Sequence, residues 1–434
     1  MSRNMKDSGI AWLGMIPDAW DVSINKTVLQ NVSIKNHPDA EVLSLYRDLG
    51  IVPKNSRDDN HNVTSENTEQ YKFVECGDLV INKMKAWQGS LAVSNHEGIV
   101  SPAYYVCKFK NDKMDKKYIH HLLRSCIYAQ QFECLSTGMR IGQWDLSIDD
   151  FLTSPLLIPP KEEQTKISVE IDFKCSQVDT LIENQKKQIE KLKQYKQSLI
   201  TETTTKGLCS SVETKFSDLE WIEKIPSTWS VHTLKSSFVY GKGLPITKAD
   251  LIDEGVAVIS YGQIHAKYNC SAHIDERLFR YVSSSYAETH PQCFVNKGDF
   301  IFADTSEDVA GAGDFVYIDS DEQIFAGYHT IILKAKNKSN NRYLSYLFMS
   351  DMWKKQIQCR VSGVKLFSIS RGILGKVSYI LPPSDEQEKI ADFLDSKCKN
   401  IDDLITIKEQ KIEKLQQYKK SIIYEYVTGK KEAL

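Results

Sequence analysis

The strongest constraint in this sequence is a long segment that occurs twice. The segment at residues 159–208 returns near the C-terminus at an offset of 223 residues (382 minus 159), without a gap from Pro159/Pro382 to Thr205/Thr428. The two copies share Gln164/Gln387, Ile167/Ile390, Asp172/Asp395, Cys175/Cys398, Asp179/Asp402, Ile182/Ile405, Leu192/Leu415 and Tyr195/Tyr418. A repeat whose period is about half of the chain predicts a molecule built from a duplicated unit.

Each copy predicts a long helix. A Pro-Pro pair presets the first helical dihedrals, and Ser384 with Gln387 fits a capping box. Apolar residues then recur at heptad spacing, which favours a coiled coil over an amphipathic helix packed on its own domain, because the same seam occurs twice. The predicted seam and spacer residues are Ile182, Ile189, Leu192, Leu199, Ile405, Ile412, Leu415 and Ile422. The polar seam residues Gln185 and Lys408 weaken the pairing and fix its register.

The segment before each helix is also duplicated, but more loosely. Ile10–Trp20 recurs as Leu219–Trp229 at an offset of 209, including an Ile-Pro-x-x-Trp motif in each copy. Gly138-Met-Arg140 recurs as Gly363-Val-Lys365 at an offset of 225. Offsets that drift between fixed landmarks indicate one scaffold with divergent loops, as expected of two recognition modules with different targets.

Each module is predicted to be α+β. Short β-branched runs alternate with turn residues, and one helix is expected at residues 116–134 and another at 342–360. Residues 203–213, rich in Thr, Ser and Lys, predict a linker. The predicted domains are a first module at 1–158, a first long helix at 159–206, a second module at 207–380 and a second long helix at 381–434.

The composition excludes several classes of protein. The 434 residues carry a formal net charge of −2, so a DNA-binding role needs local basic patches and a partner. The ten cysteines form no CxxC pair, so neither a zinc site nor a disulfide framework is indicated. No apolar run approaches a membrane span and no signal peptide is evident, so we expect a reduced, cytoplasmic protein.

Motifs for chemistry are missing. An adenine methyltransferase needs a polar residue before and an aromatic residue after a Pro-Pro pair, and neither Pro-Pro site has them. No phosphate-binding GxxxxGK[ST] loop occurs, and Glu409-Gln410-Lys411 on a Lys/Glu helix is better explained as a solvated face than as a nuclease motif. We therefore predict no catalytic residues and no metal site.

The doubled pattern resembles a known family. Two modules that each open with Trp…Ile-Pro-x-x-Trp and close with Pro-Pro-x-x-Glu-Gln-x-x-Ile and a long helix are similar to the DNA-specificity subunit of type I restriction–modification systems, over essentially the whole chain. The resemblance implies two pseudo-symmetric target-recognition domains joined by an antiparallel coiled coil. It also implies that each domain reads half of a gapped site in double-stranded DNA.

The same resemblance implies partners and a cofactor. The helices would dock two modification (methyltransferase) subunits and, through those, restriction (endonuclease and translocase) subunits. The partner would bind S-adenosylmethionine and methylate adenine N6, while this chain would bind no cofactor and catalyse nothing. The competing interpretation is a coiled-coil scaffold or adaptor whose modules bind protein. A self-contained modifying enzyme is disfavoured by the missing motifs.

DNA contacts are expected in the loops that differ between the modules, where Lys and Arg meet phosphates and polar or aromatic side chains meet bases. The candidates are Lys83, Lys85, Trp87, Arg140, Gln143, Lys242, Lys248, Tyr261, Gln263, Lys365 and Arg371. Exposed Lys and Arg are often only solvated, and Trp87 or Tyr261 could belong to the core. Arg140 and Lys365 are favoured because a basic residue follows a loop glycine at equivalent places.

The two helices also predict a molecular ruler. The seam from Cys175 to Leu199 spans roughly 37 Å at about 1.5 Å per residue. One turn of DNA is about 34–36 Å, the usual separation of half-sites read from one side. The hypothesis is that the helix length sets the gap between the two half-sites.

Overall fold

The computed structural model describes residues 3–47, 49–56, 68–140, 143–209, 211–336, 341–363 and 365–433, with the side chains of 139, 140 and 143 left undescribed. The chain divides into two compact units. The first unit is Met1–Lys186 together with Glu409–Leu434, and the second unit is Lys187–Lys408. Each unit therefore holds one α+β module and a part of both long helices. No helix in the described ranges is both long and apolar enough to cross a bilayer.

The described residues of the first unit form fourteen short strands. They are β1 Met5–Asp7, β2 Met15–Pro17, β3 Asp21–Ile24, β4 Leu29–Val32, β5 Leu43–Tyr46, β6 Gly50–Pro53, β7 Lys72–Val74, β8 Leu79–Asn82, β9 Leu91–Val93, β10 Gly98–Val100, β11 Tyr104–Phe109, β12 Thr137–Arg140, β13 Gln143–Asp145 and β14 Pro155–Ile158. Its helices are α1 Lys116–Arg124, α2 Cys126–Leu135, α3 Ile148–Thr153 and the first part of the long α4, Lys161–Lys206.

A four-stranded antiparallel sheet, in the order β4-β11-β8-β9, forms the centre of the first unit. The strand β8 reads Leu-Val-Ile-Asn and is buried along its length, as expected for a central strand covered on both faces. Helices α1 and α2 contribute Tyr118, Tyr128 and Phe132 to the larger core, which also contains Trp20. Burying each such aromatic side chain contributes about 1.5–3 kcal/mol.

The second unit repeats this plan. Its strands are β15 Thr214–Leu219, β16 Ile222–Pro226, β17 Ser230–Thr233, β18 Phe238–Lys242, β19 Val256–Ile259, β20 Arg280–Val282, β21 Phe294–Val295, β22 Phe300–Ala303, β23 Thr305–Ser306, β24 Phe315–Tyr317, β25 Ile324–Ala326, β26 Thr330–Ala335, β27 Phe367–Ser368 and β28 Ser378–Leu381. Its helices are α5 Leu234–Ser237, α6 Tyr261–Ile264, α7 Ser285–Thr289, α8 Arg342–Met349, α9 Asp351–Gln358, α10 Arg371–Gly375 and the long α11, Ser384–Val427, whose last part belongs to the first unit.

The central sheet β18-β26-β22-β24 of the second unit matches the central sheet of the first. The second unit also has a four-stranded sheet, β20-β19-β25-β21, in which β19 and β25 are parallel. The first unit has its counterpart in the pairs β5-β6 and β7-β10, which a parallel bridge between Val42 and Ile99 connects. Both units therefore contain the same arrangement of strands, which is more continuous in the second unit.

Two expectations about secondary structure were wrong. The helices expected at 116–134 and 342–360 are each split in two, at Ser125 and at Ser350. Each of these buried serines donates a hydrogen bond from its hydroxyl to the last turn before it, an alternative to continuing the helix. The predicted linker at 203–213 is helical as far as Lys206, because the threonine side chains at 203–205 are buried.

The two long helices pair antiparallel. In the first unit Cys175, Val178 and Ile182 of α4 share a core with the end of α11, and in the second unit Cys398 and Leu394 of α11 share a core with the end of α4. Of the predicted seam, Ile182, Ile189 and Ile422 are buried, whereas Leu192, Leu199, Ile405, Ile412 and Leu415 are half-buried. The antiparallel coiled coil joining two α+β modules is thus the architecture of the chain.

Matching ion pairs flank the seam. Lys419 Nζ lies 2.7 Å from Asp179 Oδ2 in the first unit, and Lys196 Nζ lies 2.7 Å from Asp402 Oδ2 in the second. The same offset of 223 relates Lys196 to Lys419 and Asp179 to Asp402, so each unit carries the same ion pair between the two helices. Lys408 Nζ donates to Gln188 Oε1 at 2.6 Å, which satisfies one of the two polar seam residues.

Candidate nucleic-acid interface

In each module, the two sequence motifs meet where the module contacts the start of a long helix, and this contact is called the joint. Trp20 donates its indole N–H to Glu163 Oε2 at 2.9 Å, and Trp229 donates to Glu386 Oε2 at 3.0 Å. Both tryptophans are buried, and both glutamates lie in the first turn of a long helix, where the helix dipole favours a negative charge. The Ile-Pro-x-x-Trp and Pro-Pro-x-x-Glu-Gln motifs therefore occur together because their side chains bind each other.

Each module also holds the end of the other long helix. Tyr118 donates its hydroxyl to Val427 O at 3.1 Å, and Tyr343 donates to Thr204 O at 2.7 Å. These carbonyls belong to last-turn residues, which have no partner within a helix. One start and one end are thus clamped in each unit, and this arrangement requires the two helices to be antiparallel.

In the first unit, the loop after β8 lies against the hairpin β12-β13. Lys83 Nζ is 2.9 Å from Asp145 Oδ2, and this hydrogen bond raises the pKa of Lys83. Leu146 donates its backbone N–H to Lys83 O at 3.0 Å. The rings of Trp87 and Trp144 lie 5.2 Å apart, so one predicted residue packs on the hairpin.

The same hairpin carries Arg140 and Gln143, whose backbones pair at its tip while their side chains lie outside the described part. Lys85 is exposed in the turn between Lys83 and Trp87. The structure therefore brings all five predicted residues of the first unit to one loop and one hairpin. That these side chains contact DNA stays a prediction.

Two further lysines extend this basic surface. Burial lowers the pKa of Lys72, and the nearby positive charges of Lys35 and Lys83 lower it further. Lys72 Nζ donates to Tyr104 O at 2.5 Å and lies 5.5 Å from the centroid of the Tyr105 ring. The positive charges of Lys35 and Lys83 therefore lie near Lys72, and a phosphate bound there would be attracted to all three.

The equivalent loop of the second unit has the opposite charge. Ile369 donates its backbone N–H to Asp304 O at 2.7 Å, so Asp304 occupies the position that Lys83 holds in the first unit. Its side chain lies 3.2 Å from Nδ1 of His329 and accepts from the Thr305 hydroxyl at 2.6 Å. The strand β27 pairs here with β23 instead of forming a hairpin of its own.

Near the Asp304 loop, the side chains are aromatic, whereas lysines lie near the Lys83 loop. Tyr261 packs edge-to-face with Tyr328 at 5.7 Å and with His329 at 5.4 Å between centroids. His329 is exposed and has a φ of 55°, a left-handed conformation that is uncommon for a residue with a side chain. Strain of this kind persists where the surroundings enforce it and is concentrated at functional sites, which makes His329 a candidate for base contact.

A hydrogen-bonded histidine supports this loop. His265 Nδ1 is 3.1 Å from Asp314 Oδ2 and its Nε2 is 2.9 Å from Thr305 O. The Asp314 hydrogen bond raises the pKa of His265, because both ring nitrogens face acceptors and the protonated form satisfies both. Lys354 Nζ binds the other oxygen of Asp314 at 2.6 Å, which balances the carboxylate.

The remaining candidates occupy different places in the second unit. Lys242 ends β18, exposed Lys248 begins a short turn, and exposed Arg371 begins α10. Exposed Lys365 precedes β27, near the loop of Asp304. Gln263 accepts the backbone N–H of Ser260 at 3.1 Å, so its oxygen already caps α6. Their DNA contacts likewise stay predictions.

Five residues on these surfaces were not predicted from the sequence: Lys35, Lys72, Trp144, Tyr328 and His329. Trp144 had a sequence signal, since it lies four residues after Arg140 in the favoured hairpin. The others had none, because strand pairing brings them from distant parts of the chain. Across the described residues, no group of three His, Cys, Asp or Glu side chains is arranged to hold a metal ion.

The chain is similar to known proteins over most of its length. Residues 226–428 match the family described as "Type I restriction modification DNA specificity domain". The "Type I restriction enzyme MjaVIII specificity subunit" of Methanocaldococcus jannaschii is 26% identical over 370 residues, covering 83% of this chain and 82% of the relative.

Two solved structures share the fold. One, titled "Structural basis underlying complex assembly and conformational transition of the type I R-M system", aligns with a TM-score of 0.69 and 14% identity, covering 95% of this chain and 98% of that one. The other is the HsdS subunit from Thermoanaerobacter tengcongensis, with a TM-score of 0.50, 14% identity and the same coverage of both chains.

Proposed function

Because residues 226–428 match the family of type I restriction–modification DNA-specificity domains and the chain resembles specificity subunits over most of its length, we propose that it is such a subunit and that its two modules each read one half of a gapped site in double-stranded DNA. Its partners are DNA and the other subunits of the system. In this proposal two modification subunits dock on the long helices, and restriction subunits join through them. S-adenosylmethionine binds to the modification subunits, and the complex works in the cytoplasm.

One observation carries the proposal. The joints that hold the modules on the helices are the same in both units, with a Trp–Glu hydrogen bond and a Tyr–carbonyl hydrogen bond in each. The loops after the central strands differ completely, with Lys83 in one and Asp304 in the other. A duplicated protein that keeps its joints and changes one surface is suited to reading two different half-sites.

The two surfaces suit different modes of contact. In the first unit, Lys35, Lys72 and Lys83 are suited to phosphates, while the Trp87–Trp144 pair is suited to packing against sugar or a thymine methyl group. In the second unit, the exposed imidazole of His329 and the hydroxyl of Tyr261 are suited to hydrogen bonds with base edges. Phosphate contacts set position, whereas base contacts give specificity.

The test assigns each surface to one half-site. We would assemble the complex with Trp87→Ala or His329→Ala and sequence the methylated sites in a library of random gapped duplexes. W87A should relax positions in one half only, and H329A should relax positions in the other half only. Lys297→Ala, which breaks an exposed ion pair to Asp321 outside both loops, is the matched control and should leave the site unchanged.

Relaxation of the same half by both variants would contradict independent reading. If both variants methylate the same DNA sequence as the wild type, these loops do not contribute to DNA recognition. The absence of catalysis in this chain is tested separately with labelled S-adenosylmethionine. Transfer of the label to DNA by the purified chain alone would show that it is an enzyme.

The spacing role of the helices needs its own experiment. One heptad inserted in both long helices keeps the seam in phase and adds about 10 Å. We expect the unspecified gap to lengthen by about three base pairs, at about 3.4 Å each, with both half-site sequences unchanged. Methylation-site mapping measures the gap. An active variant that keeps the original gap would show that the helices do not set the spacing.

A further inference from the structure

Apart from the loops proposed to contact DNA, each unit has a groove, and the two grooves lie at equivalent positions of the repeat. In the first unit it has a volume of about 510 Å³ and is lined by Trp12, Ile127 and Cys134, among others. In the second unit it has a volume of about 530 Å³ and is lined by Trp221, Met352 and Cys359. The offsets of the repeat, 209 before the sheet and 225 at the helix pair, relate these residues one to one.

The walls of both grooves come from the shared scaffold. One wall is the second helix of the split pair, α2 or α9, and the other is the segment of the first tryptophan of each module. Trp12 stands edge-on to Tyr128 at 5.1 Å, which fixes the indole ring. The indole Nε1 of Trp221 is buried and has no hydrogen-bond acceptor among the described residues.

The lining residues that the two grooves have in common are mainly apolar, whereas the charged lining residues differ. The first groove is lined by Gln130 and Gln131 and has no charged side chain among its lining residues. The second carries Lys355, Arg360 and Lys376 together with Asp218 and Glu220, so both signs are present. A ligand that fits both must therefore bind through an apolar side chain between the indole and the Ile or Met.

DNA does not fit this description. Its binding depends on neutralising phosphates, for which the first groove offers no cation. A surface preserved in both modules also cannot distinguish two different half-sites. The occupant is better explained as protein, and as one that is present twice because one chain carries two equivalent grooves.

We propose that the two grooves receive the same apolar segment from each of two modification subunits. This inference rests on the proposed function, which supplies a partner in two copies. Tyr424, near the end of α11, lines the first groove, so this groove adjoins a helix on which the modification subunits are proposed to dock, whereas the residues that line the second groove all belong to its module. Aromatic-lined pockets that accept an apolar anchor are typical centres of protein interfaces.

The test fills one groove at a time. Cys134 and Cys359 are exposed, so Cys134→Arg and Cys359→Arg add bulk to the groove without changing the core. We expect each single variant to bind one modification subunit instead of two, and the double variant to bind at least tenfold more weakly. Native mass spectrometry of the purified complexes measures the stoichiometry, and circular dichroism verifies the fold of each variant.

The native cysteines provide a second measurement. In the complex, maleimide labelling of Cys134 and Cys359 should slow at least tenfold relative to the chain alone, whereas exposed Cys76, outside both grooves, should label at the same rate. Two bound copies in the double variant, with unprotected thiols, would overturn the proposal. So would a dimer of the chain alone that C134R dissociates, since the occupant would then be a second copy of this chain.

The experiment also separates this inference from the function on which it rests. If the wild-type chain binds no modification subunit, both fail together. If the wild-type chain binds two copies and the complex methylates a gapped site, but the arginine variants do the same, only the groove is excluded. The proposed function then stands with docking on the helices alone.

Discussion

The joint at Trp20 and the joint at Trp229 use the same residue types and hydrogen bonds, whereas the loop at Lys83 and the loop at Asp304 use different ones. At the joints, the indole, the glutamate and the tyrosine recur with hydrogen bonds that differ by at most 0.4 Å in length, from 3.1 to 2.7 Å for the tyrosines. At the loops, a lysine cluster in one unit is replaced by an aspartate and aromatic rings in the other.

This comparison teaches where duplication constrains a sequence. Both joints bind the same object, namely one start and one end of a helix pair, so any change that weakens one also weakens the assembly. In the proposed function, the loops contact half-sites that can differ between the modules. Residues retained in both copies thus report a shared structural task, and residues exchanged at equivalent positions report separate targets.

The largest effect is expected from substitutions that disrupt the joints themselves. Trp20→Ala and Trp229→Ala should each lower the free energy of unfolding by about 3–5 kcal/mol, because each leaves a cavity and removes the indole donor from its glutamate. Urea denaturation of the full chain, followed by circular dichroism, measures both. The comparison predicts equal losses, and a difference above about 2 kcal/mol between the two variants would show that the joints are not equivalent.

A second experiment looks for a difference between the joints. Gly429 and Gly207 end the long helices at positive φ, 70° and 80°. A Cβ at Gly429 would lie 2.4 Å from Pro17 Cγ, in a rigid ring, whereas a Cβ at Gly207 would lie 2.8 Å from Glu386 Oε1, the end of a flexible side chain. Alanine at either position costs about 1–2 kcal/mol for the left-handed backbone.

Because the glutamate side chain can shift, at some cost to its hydrogen bond with Trp229, whereas the Pro17 ring cannot, Gly429→Ala should be about 1 kcal/mol more destabilising than Gly207→Ala. The melting temperatures of the two variants give this difference directly. Asp218→Gly, which relieves a positive φ of 57° elsewhere, is a control that should not destabilise. Equal losses for the two alanine variants would mean that Pro17 yields as easily as Glu386.

Substitutions in the two loops should affect DNA binding differently, one changing the overall affinity and the other the sequence specificity. Lys83→Ala should weaken binding to all DNA sequences and reduce the slope of log K against log salt by about one. His329→Ala should instead cost about 1–3 kcal/mol on the preferred site and little on other sequences. Fluorescence anisotropy of the complex across a salt series distinguishes the two. The reverse pattern would assign phosphate contact to His329 and base contact to Lys83.

The smallest expected effect concerns pH. The two joints are also braced by equivalent aspartates: His121 Nε2 lies 2.8 Å from Asp172, and His273 Nε2 lies 3.2 Å from Asp395. His273 also faces Asp319 at 2.9 Å and Tyr346, and Arg342 lies 2.7 Å from Asp395. Hydrogen bonds to Asp319 and Asp395 raise the pKa of His273 to about 9, whereas the His121 hydrogen bond lowers the pKa of Asp172 to about 2.

The signs of the two contributions are opposite. The stability from His273 is complete below its unfolded pKa of about 6.5 and is lost as the pH rises toward 9. The stability from Asp172 is complete above about 3.9 and is lost as the pH falls through 2. Since His273 is half-exposed, its contribution is about 1 kcal/mol or less. His273→Gln should flatten the decline in melting temperature between pH 6.5 and 9, and an unchanged decline would exclude this bridge.

The sequence by itself determined the architecture of the scaffold. An ungapped repeat with a heptad seam is sufficient to predict two long paired helices, because the spacing of apolar residues alone fixes which face is buried. The repeated Ile-Pro-x-x-Trp and Pro-Pro-x-x-Glu-Gln motifs indicated two modules in the same way. The predicted contact residues Lys83, Lys85 and Trp87 were found together because they are neighbours in the chain.

The tertiary structure decided what depends on distant segments. Only strand pairing brings Lys72 beside Lys83 and His329 beside Tyr261, and no local pattern encodes a register between strands that are far apart in the chain. The hydrogen bond from Trp20 to Glu163 crosses 143 residues, so the reason for the paired motifs was invisible before folding. Periodicity is a property of neighbouring residues and can be read along the chain, whereas a binding surface depends on which loops the packed core brings together.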